Sequence, residues 1–211
     1  MAVTSRSDII LPRDPTAALH AVPKQYADRL VPHISESGNS FFAKGGVETG
    51  PRFNSNGFGG VSGRLWVSYF TAIKDTTVVA LAVSVTDPAG VGTTLARLAA
   101  FTVAPDDSIT KVAQTASDPT IGANTYNVNE RVLSTVGGFP ASYTFLTGIR
   151  YALGYLHIGT TPPTINGVFV IDPYAAPTPN RIIEGQTDIA DSYAAASIIP
   201  YFFAVWLRAR P

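Results

Sequence analysis

Arg64–Phe70 reads RLWVSYF. Strict alternation puts Leu65, Val67 and Tyr69 on one face and Arg64, Trp66, Ser68 and Phe70 on the other, the period of a β-strand and not of a helix. The same reading extends downstream. TVVALAVSVTD is followed by a PAGVG turn, TTLARLAAFTVA by a PDDS turn in which Pro and Asp take favoured places. ITKVAQTA, ERVLST, YTFLTGIRYALGYLHIG with a break at Thr147-Gly148, INGVFVI and SIIPYFFAVWLRA complete the run. About eight to nine strands at regular spacing, punctuated by Gly, Pro and Asp, predict a mainly β fold over 64–211, an antiparallel sandwich of jelly-roll type. A segment of this length buries its own core. No internal repeat is present.

Upstream the pattern changes. Residues 1–32 carry the helical signals. Asp14 beside Pro15 is an N-cap next to a first-turn proline, TAALHA follows, and Pro23 breaks the helix before KQYADRL. On one helix Ala18, Val22, Tyr26 and Leu30 share a face. A helix this short is marginal alone, so the segment is expected to be an extended or helical anchor that docks on sister chains or a larger particle. Residues 33–63 read as a Gly-rich neck, with Phe41, Phe42, Phe53 and Phe58 as plugs.

Of the 211 residues, 14% are charged, with 15 basic against 15 acidic side chains, 45% are hydrophobic, and there is no cysteine. Soluble domains carry about a quarter charged residues. Without clustered Lys and Arg the chain is a poor nucleic-acid ligand, and low charge with high apolar content suits burial against other subunits. Disulfides, thiolate chemistry and Cys-based zinc sites are excluded. MAVTSRSDII lacks the apolar core of a signal peptide. AAASIIPYFFAVWL is shorter than the ~20 residues a bilayer needs and is interrupted by Pro200, so it reads as a buried strand and no membrane insertion is expected.

No catalytic set is legible. His20, His33 and His157 have no metal-ligand spacing, and alternation sets His157 opposite Leu156 and Ile158 in a strand. GFGGVSG misses the dinucleotide pattern by one position and lacks a βαβ unit, which leaves a flexible turn. Asp106 and Asp107 sit in a hairpin turn, and Asp118, Asp172, Asp188 and Asp191 in probable loops, so no acid/base pair emerges. Neither a cofactor nor a metal site is expected. Aromatic rings suit sugar faces as well as cores. Tyr126, Tyr143, Tyr174 and Tyr193, in or beside loops, are the candidate ligand-binding residues, whereas Trp66, Tyr69, Tyr151, Tyr155 and Trp206 are assigned to the core.

DPTAALHAVPKQYADRL (Asp14–Leu30) closely resembles the pattern DPTxALHAATKQYVD that recurs in fibre and minor tail proteins of tailed bacteriophages. The matching positions are Asp14, Pro15, Thr16, Ala18, Leu19, His20, Ala21, Lys24, Gln25, Tyr26 and Asp28. Pro23 stands where Thr is usual and Ala27 where Val is usual. RLWVSYFTAIKDTTVVALAVSV, AAFTVAPDDSITKVAQTASD and LTGIRYALGYLHIG are similar to hairpins of C-terminal domains in such proteins of actinobacterial phages. The resemblance implies a non-enzymatic virion structural protein assembled in the host cytoplasm. Its anchor would be carried by Asp14, Pro15, Leu19, His20, Val22, Tyr26 and Leu30, it would form a homotrimer joined to other virion proteins (tail, baseplate or major capsid protein), and its sandwich head would face host-surface glycan. A trimer decorating the capsid at local threefolds, as a head fibre, is the alternative, and a glycan depolymerase a more distant one.

Overall fold

The computed structural model describes residues 46–49, 56–88, 92–123, 127–169 and 180–211. The chain divides into two units, Met1–His33 and Ile34–Pro211. The anchor residues Asp14, Pro15, Leu19, His20, Val22, Tyr26 and Leu30 lie outside the described residues, as do Phe41, Phe42 and Phe53.

In the second unit the strands are β1 (Val47–Glu48), β2 (Asn56–Gly59), β3 (Arg64–Thr71), β4 (Thr76–Val78), β5 (Ala80–Asp87), β6 (Leu95–Val103), β7 (Ile109–Gln114), β8 (Asn127–Val132), β9 (Tyr143–Phe145), β10 (Arg150–Ile158), β11 (Thr164–Phe169), β12 (Asn180–Ile183), β13 (Ser192–Tyr193), β14 (Ile199–Pro200), β15 (Phe203–Val205) and β16 (Leu207–Arg210). They form an antiparallel β-sandwich, as the alternation predicts. One seven-stranded sheet runs β1-β16-β5-β11-β15, with β2 on β11 and β8 on β5; the other runs β13-β7-β6-β10-β3-β12-β14; β4 and β9 pair separately.

RLWVSYF becomes β3, and its two faces serve two cores. Trp66 and Phe70 point between the sheets, where they meet Leu98, Leu153, Tyr155 and Ile182 from their own sheet and Leu81, Val83, Phe203 and Leu207 from the opposite one. Leu65, Val67 and Tyr69 point outward, yet are 3% exposed or less. They pack with Phe101, Leu156, Ile189, Tyr193 and Ile198. The last three belong to a strap, residues 184–198, which crosses the outer face of the second sheet and returns. The strap starts after β12, pairs as β13 with β7 at the far edge, and comes back to pair as β14 with β12.

That path requires curvature. Tyr193 and Ile199 are six residues apart on the two edge strands, a reach of about 20 Å. A flat sheet of seven strands is about 29 Å wide at ~4.8 Å per gap. The sheet is therefore curled into a half-barrel, with the strap filling its hollow. Charge fixes the strap in place. Its Glu184, Asp188 and Asp191 meet Arg64 (2.6 Å), Arg97 (2.7 Å) and Lys111 (3.1 Å) of β3, β6 and β7. Lys111 Nζ also donates to the Ile189 carbonyl at 2.7 Å.

Several boundaries differ from the sequence reading. The expected neck contributes β1, paired with β16, and β2, paired with β11, so strands of the sandwich precede Arg64. GFGGVSG is half strand and half turn. Gly57 lies in β2, paired with β11, at a place where a Cβ would meet Thr86 Oγ1 at 2.6 Å and Thr164 Cγ2 at 2.7 Å. TVVALAVSVTD is split between β4 and β5. SIIPYFFAVWLRA, read as one strand, is β14, β15 and β16. Pro200, lacking an N–H, ends an edge strand of the second sheet, and the chain turns at Tyr201-Phe202 to enter the first sheet at Phe203. At Trp206 the ladder breaks again, its N–H donating to the Asn166 carbonyl at 2.8 Å.

Candidate binding surface

The corner at Tyr201-Phe202 lies at the mouth between the sheets, where the chain passes from one to the other. There the inter-sheet core continues outward as a chain of aromatic rings. Trp66 and Phe203, at 2% and 1% exposure, form its inner end. Phe58 sits over both, 5.7 Å from Trp66 and 5.1 Å from Phe203 between ring centroids. Tyr201 is half-buried beside it. Phe169 and Phe202 form the outer end, 48% and 37% exposed. Their rings are nearly parallel, 7° apart in tilt with centroids 5.8 Å apart.

Strand register produces this arrangement. Residues directly opposite in antiparallel strands share a face. Phe169 opposes Phe203 and Ile165 opposes Phe58, so these side chains line the inner face of the first sheet at its end. Gly167, between them, opposes Val205. A Cβ on Gly167 would fall 2.1 Å from the Ala204 carbonyl oxygen and 2.6 Å from the Phe203 ring, so only glycine lets that ring lie down. Phe58 then meets Phe169, Phe202 and Tyr201 edge-on at 5.9, 5.6 and 6.2 Å. Edge-to-face contacts of this kind are worth about 0.5–1.5 kcal/mol each beyond area burial, so the exposed rings stand on a rigid base.

A polar rim adjoins the rings. Arg64 lies over Trp66 and over Tyr201, its guanidinium carbon 5.2 and 5.1 Å from the ring centroids. Arg64 Nε and Nη2 both donate to Glu184 Oε1, at 2.9 and 2.6 Å. Nη1 donates to the Tyr201 hydroxyl at 3.1 Å. Burial works against the guanidinium charge, but the Glu184 hydrogen bonds and charge outweigh it and raise the Arg64 pKa above its usual value. The rim thus has balanced charge. The Tyr201 hydroxyl accepts from Arg64 and keeps its own proton to donate, and Glu184 Oε2 keeps its lone pairs.

Of the tyrosines expected to bind ligand, the two that are described, Tyr143 and Tyr193, are not among these rings. Tyr126 and Tyr174 are outside the described residues. Tyr143, in β9, is half-buried against Phe145 and Tyr151 at 5.5 and 6.1 Å, and burial, then Tyr151, push its pKa up to about 12. Tyr193 offers no face to a ligand. It is 7% exposed, its ring packs on Phe101 at 6.3 Å, and its hydroxyl accepts the Ala190 N–H at 2.8 Å; burial raises its pKa. Tyr143 belongs to the inter-sheet core and Tyr193 to the outer one, so the two are not brought together. Trp66, Tyr69, Tyr151, Tyr155 and Trp206 are all 3% exposed or less, in the core as assigned.

The aspartates act locally. Asp106 accepts from the Ser108 N–H and hydroxyl, and the hydroxyl, then the amide, lower its pKa. Asp107, at φ 69°, binds Arg150 at 2.8 Å. Asp118 holds Thr120 at 2.7 Å through its hydroxyl and binds Arg131. Asp188 and Asp191 fasten the strap. Asp172 is outside the described residues. His157 is 2% exposed, with Nε2 3.1 Å from Thr93 Oγ1 and Nδ1 without a hydrogen bond. Burial lowers its pKa to about 4. Among the described residues, no three His, Cys, Asp or Glu side chains group to hold a metal.

Sequence reasoning missed the outer rings because it assigned the whole YFF run, with Phe202, and INGVFVI, with Phe169, to strands. A signal was present: three consecutive rings cannot all face one core under a period of two, and Pro200 directly before them marks a strand end. The pairing of Glu184 with Arg64 spans 120 residues and has no local signature. No protein-family model matches this chain, and no curated protein matches it.

Proposed function

We propose that this chain is a bacteriophage virion structural protein whose jelly-roll-like β-sandwich is a host-surface recognition head, carried as a trimer by the segment 1–32. The observation that carries the recognition role is the aromatic platform of Phe169 and Phe202, exposed to solvent yet fixed from beneath by Phe58. Large apolar side chains left at the surface on a rigid base mark a contact surface. The engagement of Asp106, Asp107, Asp118, Asp188 and Asp191 in turns and ion pairs favours binding over hydrolysis of a surface glycan. The phage assignment is supported by the likeness of Asp14–Asp28 to the fibre and minor tail motif.

Purified full-length protein, fluorescently labelled, is expected to coat the bacteria that the particle infects, to compete with particle adsorption, and to sediment as a trimer. Antibody-gold labelling of particles is expected to fall on the tail. Labelling on the shell, with adsorption unaffected by excess protein, would instead identify a capsid decoration protein.

A further inference from the structure

We infer that the platform formed by Phe169, Phe202 and the Arg64–Tyr201–Glu184 rim binds one uncharged sugar ring of a surface polysaccharide. The inference rests on the recognition role proposed above and adds where the glycan binds and that the bound unit is uncharged.

Size limits the occupant first. Each phenylalanine side chain offers on the order of 200 Å², and at 48% and 37% exposure the two rings present a surface on the order of 150–200 Å². A stable protein partner needs about 800 Å² on each side. The rings cover the footprint of a single pyranose. The C–H bonds on the apolar face of such a sugar carry slight positive charge and suit the electron-rich face of an arene.

Charge limits it second. Arg64 is neutralised by Glu184 at 2.6 Å, so the rim attracts neither an anion nor a cation strongly. An acidic sugar would bring a second carboxylate toward Glu184, whose side chain is 43% exposed. The rim offers a donor, the Tyr201 hydroxyl proton, beside an acceptor, Glu184 Oε2. A pair of neighbouring sugar hydroxyls, one accepting and one donating, complements that set. Both groups are positioned before binding, Tyr201 by Arg64 Nη1 at 3.1 Å and Glu184 by Arg64 Nε and Nη2, which limits the ordering cost.

The test is calorimetry and ligand-observed NMR on the full chain with a panel of neutral α- and β-linked hexose and pentose oligosaccharides, against polygalacturonate and a phosphate-rich teichoic acid. At least one neutral oligosaccharide is expected to bind, Phe202→Ser and Phe169→Ser to weaken it tenfold or more, and Glu184→Gln to weaken it several-fold, with all three variants retaining the wild-type circular dichroism. Binding that is equal or stronger for the anionic polymers, neutral binding untouched by the phenylalanine substitutions, or no binding across the neutral panel overturns the inference. Adsorption of the same proteins to host cells separates the two claims. Wild-type adsorption that survives Phe202→Ser leaves the recognition role standing and removes the platform from it. Absence of wild-type adsorption removes the recognition role, whatever the oligosaccharides do.

Discussion

Tyr193 and Phe202 lie nine residues apart and meet opposite fates. Tyr193 is 7% exposed in the hollow of the curled sheet, whereas Phe202 is 37% exposed at the mouth of the sandwich. The same stretch of chain thus closes one apolar face with the strap plugs Ile189, Tyr193 and Ile198 and leaves another open. At the strap the plugs Ile189 and Tyr193 have nearby charges fixed to strands: Asp188 on Arg97 and Asp191 on Lys111. At the mouth the Arg64–Glu184 ion pair braces the rim, with Arg64 lying over the inner rings Trp66 and Tyr201. The strap closes its face with both apolar plugs and charged pins; among the described residues the platform has neither above it.

The contrast can be broken most severely at the strap. Tyr193→Ala removes a buried ring from the outer core and is expected to lower unfolding free energy by about 4 kcal/mol, read by urea denaturation, without altering the platform. A loss under 1 kcal/mol would mean that the strap is loosely held.

The next effect is a pH dependence that belongs to the fold and not to the platform. His157 has a folded pKa of about 4, lowered by burial, against about 6.5 when unfolded. The folded state holds the ring neutral, so stability is full above about pH 6.5 and falls as pH drops toward 4, where the unfolded chain takes up a proton that the folded chain refuses. The difference is on the order of 3 kcal/mol. His157→Gln is expected to flatten denaturation midpoints between pH 6.5 and 4. Asp118 acts in a separate window: the Thr120 hydroxyl holds its pKa down against the opposing effect of burial. Its contribution is present above the usual carboxylate pKa and is lost only below it.

At the mouth, Phe202→Ser is expected to cost only about 1 kcal/mol, because part of the ring is already in water. The smallest effect is that of Asp188→Asn. Arg97 Nη1 reaches both of its oxygens, at 2.7 and 2.8 Å, but Asp188 is 50% exposed, so screening leaves about 0.5 kcal/mol. High salt should shrink that difference further. If Phe202→Ser destabilised as strongly as Tyr193→Ala, the rings at the mouth would be core and not contact surface.

The division between these regions was only partly legible in the sequence. Alternation in RLWVSYF correctly separated Leu65, Val67 and Tyr69 from Trp66 and Phe70, and the Thr147-Gly148 break and the PDDS turn fall between strands where expected. It could not tell that the outer face is also buried, because the cover comes from residues 184–198, more than a hundred positions away. His157 was correctly set opposite Leu156, but its burial to 2% exposure beside Thr93, 64 residues away in sequence, has no local signature. The Tyr201-Phe202 corner was hidden inside the most apolar stretch of the chain. Hydropathy reports how apolar a segment is, and not where it leaves one sheet for another.

The most direct test is residue-resolved. In aromatic carbon–proton NMR spectra of the full chain, addition of a bound neutral oligosaccharide is expected to shift the ring signals of Phe169, Phe202 and Tyr201 while leaving Tyr193 and Phe101 in place. Shifts centred on Tyr193 and Phe101, with Phe169 and Phe202 unmoved, would contradict the account.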